Sequence, residues 1–175
     1  MMKANLLLKL WRDRSGVAAS EFALILPILI LLLFGTAELG YVLLLDKKIT
    51  TGAQTAADLV AQQKSVSAGD VNNIFRAVDS ILQPYSSGDA AYTVASLVAD
   101  EDGAVTIEWQ RHRGGEDIEE FDLPEGLLSE NDSVIVALVT YSYSPVFGEL
   151  IFEPFIITDM AYLRPRTTIA VEFSG

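Results

Sequence analysis

Glu21 is the residue whose surroundings most demand a chemical explanation. Between Arg14 and Asp46 the only formal charges are Glu21 and Glu38, and from Phe22 to Phe34 every residue is apolar apart from Pro27. A charged side chain costs about 2.5–3.5 kcal/mol at the centre of a membrane helix and less near the interface, so an unpaired one is rare there. Glu21 therefore requires a partner. Just upstream, a basic segment ends at Gly16 and four small residues, Val17 to Ser20, follow it. A cut between Gly16 and Val17 would place a new α-amine on Val17 and make Glu21 the fifth residue of the shortened chain. Residues four apart share a helix face. The cationic terminus and the carboxylate would then lie about a turn apart at one membrane depth, each able to neutralise the other on a neighbouring copy.

The element that must carry these groups is a helix. A transmembrane helix rises about 1.5 Å per residue and needs roughly 20 mostly apolar residues, and the stretch from Val17 to Leu45 meets that length. Pro27 removes one backbone hydrogen bond inside it, which predicts a kink or local loosening. Ala19 and Ala23, and again Thr36 and Gly40, stand four apart and would let a second helix approach closely. Two plainer accounts compete. Gly35-Thr36-Ala37 offers the small residues of a secretory signal cut before Glu38, although the apolar run is longer than a usual signal core and Glu21 stays unexplained. Alternatively the helix is an uncut single-pass anchor with Glu21 reaching for the interface.

The basic leader, Gly16, Glu21 and Phe22, and the apolar run after them resemble the cleavage motif of type IV pilins and pseudopilins. More narrowly, GVAASEFALILPILILLLFGTAELG resembles the N-terminal segment of the TadE/TadF/TadG-like proteins of Tad (Flp) pilus systems, through its EFAL run, Pro27 and the Phe34-Gly35 pair. Weaker similarity continues in TAADLVAQ (Thr55 to Gln62), Pro84-Tyr85 and Arg164-Pro165-Arg166. The resemblance implies an aspartate-type prepilin peptidase cutting at Gly16–Val17. It implies pairing of Glu21, next to Phe22, with a neighbour's terminal amine. Ala19, Ala23, Pro27, Thr36 and Gly40 would pack against other helices. The implied partners are other pilin and pseudopilin subunits, the Tad inner-membrane assembly complex and the lipid bilayer, in a role in pilus assembly and surface adhesion.

Charge is divided unevenly. The formal net charge is −12, yet residues 1–16 carry Lys3, Lys9, Arg12 and Arg14 against Asp13, so the acidity lies wholly in the remainder. An acidic exterior argues against nucleic acid as a partner and against docking on anionic lipid. Four basic residues precede the apolar run and only Lys47 and Lys48 closely follow it. The positive-inside rule then places the N-terminus in the cytoplasm and the acidic domain across the bacterial inner membrane, in the periplasm. The absence of cysteine excludes disulfides and cysteine-based zinc sites without identifying the compartment.

The expected organisation is a leader over 1–16, a transmembrane helix over 17–45 and a periplasmic domain over 46–175, opening with a helical stalk over 47–66. Ile49, Ala53, Ala56 and Val60 trace one helical stripe whose small side chains suit packing on a sheet, and Gly52 marks a bend at the membrane surface. Asp70 reads as the N-cap of a second helix over 70–83, ended by Pro84. Tyr92 to Ala99 and Ala104 to Gln110 read as a hairpin about Asp100-Glu101-Asp102-Gly103, with Val105, Ile107 and Trp109 on one face. The polar, acidic stretch from Arg111 to Ser133 reads as a surface excursion, either a partner site or a disordered segment. Val134 to Tyr143 reads as the central strand, Phe147 to Phe155 as a short helix or exposed lip, and Ile156 to Leu163 and Thr167 to Phe173 as the strands closing the sheet. The expected fold is α+β: a long N-terminal helix and a second helix on an antiparallel sheet of about four strands, a pilin-like arrangement.

Catalytic signatures are missing from the sequence. His112 is the single histidine, no G-x-S-x-G surrounds a serine, and Gly114-Gly115 lack the Lys-Ser or Lys-Thr of a phosphate loop. The acidic trio at 100–102 lacks the glutamate spacing of an EF-hand loop. The expectation is no enzyme, no catalytic residue, no metal and no cofactor. The favoured reading is a minor pseudopilin processed after Gly16; the alternative is an uncleaved, membrane-anchored binding or scaffold module of the pilus machinery.

Overall fold

The computed structural model describes residues 15–115, 117–119, 121, 123–124, 126–145 and 153–174. The chain divides between Gly40 and Tyr41 into two compact units. Helix α1, Ser15–Ala61, contributes to both, and Pro27 lies within it without ending it. In the first unit the described residues are all helical, and every side chain from Gly16 to Phe34 is exposed. Two hydroxyls bond back to the helix: Ser20 donates to the Val17 carbonyl at 2.8 Å and Thr36 to the Leu33 carbonyl at 3.0 Å. This satisfies polar groups that would otherwise be unpaired in hydrocarbon.

The second unit is α+β. Strand β1 (Ser65–Val66) and helix α2 (Ala68–Leu82) follow α1, then β2 (Ala90–Ala99), β3 (Val105–Arg113), β4 (Ser133–Tyr143), β5 (Phe155–Leu163) and β6 (Glu172–Phe173). Four strands form an antiparallel sheet in the order β3-β2-β4-β5. The α1 stripe is buried as its small residues anticipate: Leu45, Ile49, Ala53, Ala56, Ala57 and Val60 join a core with Val71, Phe75 and Val78 of α2 and with Tyr92, Val94, Ala137 and Val139 of the sheet. Burying a side chain such as Phe75 contributes about 1.5–3 kcal/mol. A second core forms where Ala95, Leu97, Val134 and Val136 meet Phe121, with Ile118, Leu123, Leu127 and Leu128 packed against it.

Several expectations are corrected by this packing. The stalk ends at Ala61, and Ser65 and Val66, read as helical, form β1. Gly52 makes no bend. It lies inside α1, and a Cβ there would meet Val78 Cγ1 at 2.9 Å, so the glycine lets α1 and α2 approach. Gly52→Ala should gain about 1 kcal/mol of helix propensity but cost about 1–3 kcal/mol in overpacking against a stiff, buried valine. A net loss is expected in chemical denaturation of the micelle-held chain, and a smaller loss when the same change is made beside Val78→Ala.

Asp70 is not the N-cap of α2. Ser67 is, and Asp70 closes a capping box by accepting from the Ser67 backbone N–H and hydroxyl at 2.9 and 2.6 Å. These hydrogen bonds hold the Asp70 carboxyl below its ordinary value. A lowered folded pKa stabilises fully above the unfolded value, near 4, and that stability is lost as pH falls through the folded one. Acid-induced loss of stability should therefore be shallower below pH 4 in Asp70→Asn than in the natural chain, as read by denaturation at several pH values.

Ile107 and Trp109 lie on opposite faces of the sheet. Ser96 pairs with Trp109 and Leu97 with Ile107, so a bulge at Glu108 reverses the alternation. Trp109 joins the helix-side core, where its indole donates to the Val171 carbonyl at 2.6 Å, and Ile107 packs in the second core. Thr167 to Phe173 does not close the sheet. Only Glu172–Phe173 is extended, pairing in parallel with β1. The excursion after β3 is less exposed than its charge suggests, because its apolar residues cover the sheet face away from the helices. Residues 146–152 of the expected lip lie outside the described residues, and Phe155 begins β5.

Candidate functional site

The start of α1 holds the groups whose chemistry the sequence singles out. Of the leader, residues 1–14 lie outside the described residues, and Ser15 and Gly16 are already helical. Gly16 faces open space, since a Cβ built there meets nothing within 4 Å. Val17 and Phe22 are 55% and 57% exposed, and Glu21 is exposed with no hydrogen bond or ion pair among the described residues. Val17 and Glu21, four apart, share a face about one turn of helix from each other. Ala19, Ala23, Pro27, Thr36 and Gly40 are helical residues; all but Thr36, whose hydroxyl is bonded to Leu33, offer no polar side chain. Gly16, Val17 and Glu21 are thus all exposed.

The later segments that carry the weaker similarity serve as structural ties, Thr55–Gln62 with Arg164–Arg166 in one place and Tyr85 with Tyr41 in another. Asp58, in α1, is ion-paired with Arg166, whose backbone N–H donates to the Ala61 carbonyl at 2.8 Å. Arg164 pairs with Asp132 at 2.9 Å and donates to the Leu127 carbonyl. The Tyr85 hydroxyl donates to the Tyr41 carbonyl at 2.8 Å. Lys48 is not free for lipid phosphate: its ammonium donates to the Ile81 carbonyl at 2.8 Å, satisfying a carbonyl in the last turn of α2. Sequence reasoning missed these pairings because the partners are far apart along the chain.

A polar cluster links α2 to the sheet. The Asp79 carboxylate accepts from the Tyr92 hydroxyl at 2.7 Å and from the Arg113 guanidinium at 2.6 Å. Arg113 lies 4.7 Å over the Tyr92 ring, and Tyr92 stacks on Phe75 at 5.5 Å. Burial, with the nearby Asp79 charge, pushes the Tyr92 phenol well above its ordinary value. Each group is engaged by another, so the cluster joins α2 to β2 and β3.

Of the remaining chemical candidates, His112 Nδ1 stands 3.2 Å from the exposed carboxylate of Asp117. Asp100 Oδ1 accepts from the N–H groups of Asp102 and Ala104 at 2.9 and 2.8 Å, so it shapes the β2–β3 turn. Among the described residues no group of three or more His, Asp or Glu side chains could hold a metal ion.

The architecture defines a class: an α+β domain on a chain whose N-terminal helix is long and apolar enough to cross a membrane, with mean hydropathy 2.5 in a window that is 0% buried. That helix is compatible with a membrane anchor. Residues 16–58 match the family model of TadE-like protein, so this stretch is similar to that family, in keeping with the resemblance read from the sequence. The match runs from Gly16, through the apolar helix and most of the buried stripe, to Asp58. No curated protein and no solved structure matches the chain.

Proposed function

We propose that this chain is a minor pseudopilin of a Tad/Flp pilus system, cut after Gly16 by a prepilin peptidase. The observation that carries the reading is the exposed constellation Gly16, Val17, Glu21 and Phe22 at the start of an apolar helix, inside the TadE-like segment. The peptidase would take Gly16 because no side chain obstructs it. The new Val17 amine and the Glu21 carboxylate of an adjacent subunit would then neutralise each other in a medium where opposite charges attract strongly once matched. Other pilin and pseudopilin helices and the Tad inner-membrane assembly complex are the proposed partners.

In this reading the acidic domain faces the periplasm, the N-terminus is cytoplasmic, and the protein takes part in pilus assembly and surface adhesion while catalysing nothing itself. Co-expression with the peptidase tests it. The proposed reading predicts a product sixteen residues shorter than the 175-residue chain. A product that stays full length contradicts it and favours an uncut anchored scaffold.

A further inference from the structure

Strand β5 is an edge of the main sheet. The order β3-β2-β4-β5 leaves one of its sides without a neighbouring strand. Among the described residues, no backbone group of Phe155–Leu163 bonds to backbone outside the ladder with β4. An open edge is a template for one more strand, and natural sheets restrict it with charges and local bonds.

The soluble part of α1 lies beside this edge. Thr50, Gln54 and Asp58, four apart on one helix face, and Asp159 to Leu163 of the strand line a groove of about 490 Å³, with Arg166, ion-paired to Asp58, in the same lining. The groove thus joins a strand edge, which can bond to the backbone of an extended segment, to a helix face that can meet the segment's side chains. Strand addition gains affinity from the first and specificity from the second.

Charge decides what kind of segment fits. Ala161 is in the helix-side core and Ile157 and Leu163 pack against it, so Asp159, in the same alternation, is turned toward α1. Its carboxylate accepts from the Met160 N–H at 2.8 Å, and among the described residues no cation pairs with it. A second copy is the wrong occupant for its own β5. Asp159 is the central residue of the strand, so two β5 strands paired antiparallel in full overlap set Asp159 opposite Asp159. Like charges directly opposite destabilise such a pair.

We propose that β5 is a strand-addition site for an extended segment of another protein that carries Lys or Arg opposite Asp159. The backbone of that segment extends the sheet by one strand. Its cation takes the Asp159 carboxylate from the Met160 N–H, which is then open to an incoming carbonyl, so the carboxylate both guards the edge and selects what opens it. The proposal does not depend on cleavage after Gly16.

The test uses the full chain in detergent micelles and two capped peptides, Thr-Val-Thr-Arg-Thr-Val-Thr and the same sequence with Glu in place of Arg. Fluorescence anisotropy of labelled peptide reads affinity, and hydrogen–deuterium exchange of Phe155–Leu163 reads location. The Arg peptide should bind about tenfold or more tightly than the Glu peptide and should slow exchange in β5. Asp159→Lys should reverse the preference, and Asp159→Asn, which keeps the shape, should abolish it. Equal binding of the two peptides, a preference unaltered in both variants, or binding that leaves exchange in β5 unchanged would overturn the proposal. Failure of the Arg peptide to bind at millimolar concentration would overturn it too. Exchange in β5 that slows with rising protein concentration, in the absence of peptide, would assign the edge to a second copy and contradict the proposal as well.

Discussion

A chain carrying Gly16→Leu should remain at full length when co-expressed with a prepilin peptidase, its processed fraction falling about tenfold or more, equivalent to about 1.4 kcal/mol or more of lost transition-state stabilisation. The fold gives this experiment its clarity. Gly16 is helical, and a Cβ there meets nothing within 4 Å, so the larger residue strains nothing in the described chain. Leucine also favours helix over glycine by roughly 1 kcal/mol. Failure to process would then report the enzyme's need for a residue without a side chain at this position. Normal cutting of Gly16→Leu would count against the site.

Glu21→Ala should have the second large effect, confined to assembly. Removing a charge from an apolar helix relieves a cost of up to about 2.5–3.5 kcal/mol, so membrane insertion should be as good or better. In the proposed assembly, however, the change strands a neighbour's amine in a poorly solvating medium. Deleting one member of a buried ion pair costs about 3–5 kcal/mol, which corresponds to roughly 10²- to 10⁴-fold weaker association. Glu21→Gln should behave like Glu21→Ala, because shape without charge does not neutralise the amine. The check is co-purification of pilin subunits from detergent extracts together with carbonate extraction of membranes. Unchanged co-purification would make the carboxylate incidental.

The signals readable from sequence were those carried by a few successive turns or alternations. The apolar run of α1 is legible by its length and the stripe Ile49, Ala53, Ala56 and Val60 by its helical spacing, and both are helical as expected. The β-branched run of β4 announced a central strand, and it lies between β2 and β5 with eight of its eleven residues buried. Residues 16–22 are local in the same sense, lying within two turns of α1, and their proposed role awaits the processing experiment.

What escaped depended on distant partners. Gly52 reads locally as a helix breaker, and only Val78, brought across from α2, shows that it is a contact residue. Alternation carries Ile107 and Trp109 to one face until a single bulged residue shifts the phase. Ser67 and Asp70 are both acceptable capping residues, and the box that uses both has its cap three positions earlier than the apolar pattern suggests. The acidic stretch after β3 hid its role because its charges outnumber the few apolar side chains, led by Phe121, that cover the sheet. Arg166 and Asp58 are separated by more than a hundred residues, and nothing local marks them as a pair.

Mass spectrometry of the N-terminus of the protein from its native membrane tests the central claim most directly. The account predicts a chain that begins at Val17, leaving an amine four residues before the Glu21 carboxylate. A chain that begins at Met1, or at Glu38, would contradict it, because the charge pair on which subunit assembly is proposed to depend would never form.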